Sequence, residues 1–376
     1  MSKIFIAIMG SLLLIASAPV LGQFYFFGDS LSDAGVMDQN ASLPKTEHGF
    51  ARKPIYTNPA HQDYNVWPFY VSQIFAQDAV YGANNANSGI GDDGATVSGQ
   101  LQGNNYAAGG AVTQGEGIVF PGYHPPSLVR QVERFEKQHG SDANLNENVY
   151  FVWVGANDYL RLFMNFLKNP NINLGEFTAE LLSVSHKGPE VITAQIATLH
   201  KLGAEGNHPK RFFVIELPKL IDTPIVQGLL QQYPVLNNLI FKGVINSLSN
   251  SFNKNLRSKV LALRAEYGEN IEIEMFDPNK QLDDMVKQIG PMQQGVYEYS
   301  TQHFNKNKLI TLTNYKTPAC ISTASFDKLA AQSIGCLKFE ANSEHLVFAD
   351  IVHPSASVHE ILADAIAGKL KMKQWG

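Results

Sequence analysis

Apolar and polar positions alternate in blocks along this chain, and the blocks predict an α/β domain. Residues 24–27 (FYFF) are wholly aromatic and end at a Gly-Asp turn, as a strand buried on both faces does. Residues 148–154 (NVYFVWV), 210–217 (KRFFVIEL) and 271–276 (IEIEMF) predict three more strands. Between and after them the period changes. Val191, Ala194, Ile196, Leu199 and Leu202 mark a helix over 190–202, a longer one is predicted over 236–267, and a last one over 355–370. Strands alternating with helices imply a parallel sheet covered on both faces. Residues 34–103 are rich in Gly, Asn and Pro and are broken only by a predicted helix near 67–75. So much irregular chain inside a domain usually carries function. No repeat, charge block or low-complexity linker divides the chain.

Composition narrows the classes. Of 376 residues 44% are apolar and 17% charged, enough for a large core and against wholesale disorder. A net charge of −5 leaves no basic footprint for nucleic acid. A mean hydropathy of −0.12 does not suit a multispanning membrane protein. Two cysteines cannot build a cysteine-rich zinc ribbon. The 11 histidines lack ligand spacing, so neither a metal nor another cofactor is expected.

Residues 1–22 change the compartment. Lys3 precedes an apolar run over 4–15, then small residues up to Gly22, the layout of a secretory signal peptide. Cleavage is expected after Gly22, with Ala18 as the alternative, leaving 23–376 as one exported domain. No cysteine near the junction supports a lipid anchor. Export favours pairing Cys320 with Cys336, which would close a loop of about 15 residues worth ~3 kcal/mol; two buried free thiols are the alternative.

Four short segments stand at strand ends or in glycine-rich loops. Gly28-Asp29-Ser30-Leu31-Ser32 follows the first strand, and ligands of open α/β sheets bind beyond carboxyl ends of strands. Ser30 there is placed as a nucleophile or as a helix cap. Asp350-Ile351-Val352-His353-Pro354 supplies a base, with an acceptor three residues earlier to orient it; a helix cap by Asp350 or Ser355 is the plainer reading. Gly155-Ala156-Asn157-Asp158 offers a side-chain amide to a developing oxyanion, or caps a helix. The run 104–110 (NNYAAGG) lets backbone approach a ligand closely, or is a tight turn. By contrast Gly89-Ile-Gly91-Asp-Asp-Gly94 has the spacing of a dinucleotide fingerprint without the strand and helix that would confirm it.

Taken in order, GDSLSD, NYAAGG, GAND and DxxHP resemble the blocks of the GDSL, or SGNH, hydrolases. The resemblance runs from residue 28 to 354. It implies a three-layer α/β/α sandwich with a flavodoxin-like sheet, a triad of Ser30, His353 and Asp350, and an oxyanion hole of Ser30, Gly110 and Asn157, with Gly109 as the competing glycine. Within that family the chain is most similar to secreted bacterial lysophospholipases and glycerophospholipid:cholesterol acyltransferases, which share its size, leader and paired cysteines. Val36 departs from the Asn the family often has there. The subgroup implies a (lyso)phospholipid acyl ester as substrate, a sterol as acceptor, transient contact with a membrane surface, and activation by proteolysis of the loop between Cys320 and Cys336. A carbohydrate acetylesterase or arylesterase would use the same blocks, and a secreted binding protein that has lost activity is the alternative of another class. Trp67, Phe69, Tyr70, Phe120 and Tyr123 are candidate acyl-groove residues or simply core.

Overall fold

A computed structural model describes residues 22–33, 66–75, 104–119, 124–142, 145–168, 173–203, 209–233, 236–237, 239–290, 294–314, 345–349 and 352–375. Residues 1–21 of the leader, the 89–94 glycine run, Phe120, Tyr123, Cys320, Cys336 and Asp350 lie outside them.

Four parallel strands form the sheet in the order β1 (Phe24–Gly28), β2 (Val149–Trp153), β3 (Lys210–Ile215), β4 (Ile271–Phe276). A fifth segment lies beside β1 on its other edge. It pairs only as an isolated parallel bridge, Phe26 with Asn105, with Phe26 N–H donating to Asn104 O and Tyr106 N–H to Phe26 O. Counted in chain order the arrangement is therefore 2-1-3-4-5, the flavodoxin-like order, with its second member reduced to residues 104–108. The chain leaves β1 towards one side and returns on the other. Their carboxyl ends thus mark the switch point of the sheet, where such folds bind ligands.

Both faces of β1 and β2 are buried, which is why these strands read as continuous apolar runs. Side chains alternate between two cores. Phe24, Phe26, Phe151 and Phe213 face the layer of α1 (Trp67–Ile74), α7 (Asn279–Ile289) and α8 (Ala356–Lys373). Tyr25, Phe27, Tyr150 and Phe212 face α2 (Leu128–His139), α4 (Leu174–Lys201) and α6 (Leu239–Tyr267). Phe26 stacks on Phe151 with centroids 4.8 Å apart. Each such ring contributes about 1.5–3 kcal/mol by leaving water. The result is a three-layer α/β/α sandwich. Shorter α3 (Ala156–Lys168) and α5 (Pro224–Gln232) follow β2 and β3, and a hairpin of β5 (Tyr297–Ser300) and β6 (Leu309–Leu312) packs beside α8. No helix among the described residues is long and apolar enough to cross a membrane.

The four predicted strands are all present, and the four predicted helices are α1, α4, α6 and α8; α4 starts well before its predicted first turn at 190, and α6 starts slightly after its predicted start at 236. Trp67 and Tyr70 are buried among Phe26, Phe151, Trp153 and the inner face of α8, and Phe69 packs against that core. None of the three lines the cavity described below, so they are core and not acyl groove.

Candidate active site

The site is assembled from the turns that leave the strands. β1 ends at Gly28, where an added Cβ would lie 2.2 Å from Trp153 O, so only glycine lets the chain cross so near β2. The next turn is fixed by the buried Asp29, whose Oδ1 accepts from Leu31 N–H at 3.0 Å. This leaves Ser30 half-buried beyond the sheet. The turn before α8 supplies the partner. Phe348 bridges to Pro354, Ala349 N–H donates to His353 O at 2.8 Å, and Ser355 Oγ accepts from Val358 N–H as the helix cap. His353 is thereby held with Nε2 2.7 Å from Ser30 Oγ.

Two more segments converge there. At the end of β2, Gly155 takes φ +128, a conformation costly for other residues, and Asn157 enters the first turn of α3. Asn157 is buried and donates from Nδ2 to Ala111 O at 2.9 Å, so it ties α3 to the glycine loop and is not a simple helix cap. Asp158 does the same: its carboxylate accepts from Thr113 N–H at 3.0 Å and Thr113 Oγ1 at 2.7 Å. In the loop itself the two glycines separate. Gly109 N–H donates to Asp33 Oδ2 at 2.7 Å. Gly110 takes φ +82, and among the described residues nothing accepts from its N–H. The two glycines thus differ in that Asp33 engages the N–H of Gly109.

A cavity open to solvent begins at Ser30. It crosses the carboxyl ends of all four strands, past Trp153, Asn157 and Leu160, then Pro218 and Leu220, to Leu282 and Val286 on α7. Val347, Phe348 and Val352 wall it on the side of His353. Its lining is mainly apolar, with Asn157 and Ser30 at the reacting end.

Burial dominates the electrostatics. It pushes the Asp29 carboxyl up to about 7, opposed by the Leu31 N–H and the charge of His353. It pushes Asp158 up to about 6 against its two bonds from Thr113. His359, enclosed in α8, is driven down to about 3 by burial and by His353, so it is neutral and accepts at Nδ1 from Trp67 N–H at 3.4 Å. Among the described residues no three His, Cys, Asp or Glu side chains group as a metal site.

Chemically, a hydroxyl bonded to an imidazole, in a cavity that a primary amide also lines, suits acyl transfer. A family model, GDSL-like Lipase/Acylhydrolase, matches residues 24–366. The chain belongs to this GDSL-like lipase/acylhydrolase family. It is accordingly an ester-hydrolysing enzyme of the esterase/lipase type. No curated protein matches the chain significantly. Of the blocks that resemble those of the GDSL-like enzymes, Ser30 and His353 meet through a hydrogen bond, Asn157 lines the same cavity and bonds the carbonyl of Ala111, next to Gly110, and Asp350 is outside the described residues. Missed from sequence were Asp33 as the clamp on Gly109, the α7 wall of the cavity, and Gln131. Gln131 did leave a signal: it is a polar residue on the inward face of α2, beside Leu128, Val132 and Phe135.

Proposed function

We propose that this enzyme hydrolyses long-chain acyl esters of (lyso)phospholipids through an acyl-enzyme on Ser30. The observation that carries this reading is the 2.7 Å contact between Ser30 Oγ and His353 Nε2 at the end of an apolar cavity. His353 takes the Ser30 proton as Oγ attacks the ester carbonyl. The N–H groups of Ser30 and Gly110 and the amide of Asn157 hold the oxyanion, and Asp350 orients the imidazole. The tetrahedral intermediate collapses, His353 protonates the departing alcohol, and water activated by His353 releases the fatty acid. A sterol hydroxyl in place of that water gives acyl transfer. The apolar cavity favours a long acyl chain over the acetyl groups of carbohydrate esters.

In this reading residues 1–22 direct export, the enzyme acts at a lipid surface, and an external protease cuts between Cys320 and Cys336, which form a disulfide. Incubation with lysophosphatidylcholine, with and without cholesterol, tests the chemistry. Free fatty acid is expected in both, with sterol ester in the second. Turnover of acetylated sugars or aryl acetates alone would replace this reading with the short-chain one, and inertness toward every ester with the binding-protein one.

A further inference from the structure

Gln131 stands at a break in the hydrogen-bond ladder of β1. Along that edge Phe26 N–H bonds Asn104 O and Tyr106 N–H bonds Phe26 O, and Ala108 N–H bonds Gly28 O at 3.1 Å. The same parallel pattern two residues on would pair Gly28 N–H with Tyr106 O. Instead, Gly28 N–H donates to Gln131 Oε1 at 2.8 Å. The other half of the amide, Nε2, donates to Gly28 O at 2.7 Å and to Pro126 O at 3.0 Å. Gln131 is wholly buried on α2. Its carboxamide therefore stands in for Tyr106 O as the partner of Gly28 N–H at the last step of this edge, while the rung from Ala108 N–H to Gly28 O is kept.

That step divides the two halves of the oxyanion site. On one side Gly28 leads within two residues to Ser30. On the other, Ala108 leads within two residues to Gly110. We propose that Gln131 is a positioning residue: its amide holds both backbone groups of Gly28, two residues before Ser30, and so fixes the Ser30 turn against the Gly110 loop, where the two backbone N–H donors receive the oxyanion. It touches no substrate. A buried amide with a donor and an acceptor, both satisfied by backbone, holds this turn with little freedom. An apolar side chain at 131 would leave Gly28 N–H without this acceptor and let the Ser30 turn shift relative to the Gly110 loop.

This inference rests on the serine-hydrolase reading, and the experiment separates the two. Gln131→Met keeps the side-chain length and removes all three bonds. It is compared with the native enzyme in kcat/KM on a p-nitrophenyl ester and in inhibition by two ligands of one carbon skeleton. The first is a trifluoromethyl ketone: Ser30 Oγ adds to its carbonyl carbon, the Oγ proton passes to His353 Nε2, and the ketone oxygen becomes an oxyanion in the hole. The second is the corresponding secondary alcohol, which forms no oxyanion. Expected is a loss of about 10–10²-fold in kcat/KM, an equal loss in ketone affinity, and unchanged alcohol affinity. If the variant does not fold, Gln131→Leu, which also leaves Gly28 N–H without this acceptor and removes the amide donors, is read the same way. Unchanged ketone affinity, or equal weakening of ketone and alcohol, overturns the proposal. Retained turnover in Ser30→Ala would instead overturn the reading beneath it.

Discussion

Ser30 Oγ and His353 Nε2 lie 2.7 Å apart although 323 positions separate them in the chain. Two different devices bring them there. The serine comes from a turn that only a glycine at 28 permits, and the histidine from a bridged turn locked ahead of α8. Neither side chain depends on a long loop for its placement, which suits a site that must hold its geometry to fractions of an ångström.

Asn157→Ala is expected to lower kcat by about 10²–10³-fold, the usual loss for one oxyanion donor. Because Nδ2 also bonds Ala111 O, a stability loss of about 1 kcal/mol should accompany it. Steady-state kinetics and a denaturant curve on the same preparation measure both. A stability loss with kcat intact would make Asn157 a structural tie only.

Val286→Trp should fill the far part of the cavity from the α7 side. Hydrolysis of long-chain p-nitrophenyl esters is expected to fall by at least ~10-fold, with the acetate ester little affected. A series of chain lengths reads this directly, and an equal effect on all of them would remove α7 from the acyl path.

Gly155→Ala places a methyl group 2.7 Å from Phe252 Cζ at a φ of +128. Overpacking and backbone strain together should destabilise by about 2–4 kcal/mol. Thermal unfolding checks this, and an unchanged midpoint would show that the turn before Asn157 relaxes freely.

Asp158→Asn tests the buried carboxyl. The folded pKa, about 6, lies above the unfolded value, so the native state holds its proton more tightly than the unfolded one. The stability this confers is full below the unfolded pKa near 4 and is lost as pH rises through about 6. Relative to the native protein, the Asn variant should gain stability between pH 4 and 7. Melting curves across that range decide it; parallel curves would contradict the shift.

Much of this was legible in the sequence because burial on both faces leaves a strong mark. FYFF and VYFVW are strands that polar residues do not interrupt, and their ends carry Ser30 and Asn157. The second member of the sheet left no such mark. Apart from Tyr106, residues 104–108 are small or polar, and they pair through one bridge and side-chain amides, as when Asn105 Nδ2 bonds Ser32 O. Helix α7 was missed because Asn279, Lys280, Gln281 and Asp283 dilute its inward face of Met285 and Ile289. The hairpin was missed because YEYS and LITL are short and partly exposed. The clamp of Asp33 on Gly109 and the bonding of Gln131 to Gly28 join residues 76 and 103 positions apart, and no local pattern encodes such partners.

The most direct test of the central claim is covalent capture of the nucleophile. The intact enzyme is treated with a fluorophosphonate, digested, and the modified peptide located by mass spectrometry, alongside His353→Ala. Ser30 should carry the label at one equivalent per chain, in step with loss of esterase activity, and labelling of His353→Ala should be slower by orders of magnitude. A label on another residue, or full inactivation with Ser30 unmodified, would contradict the account.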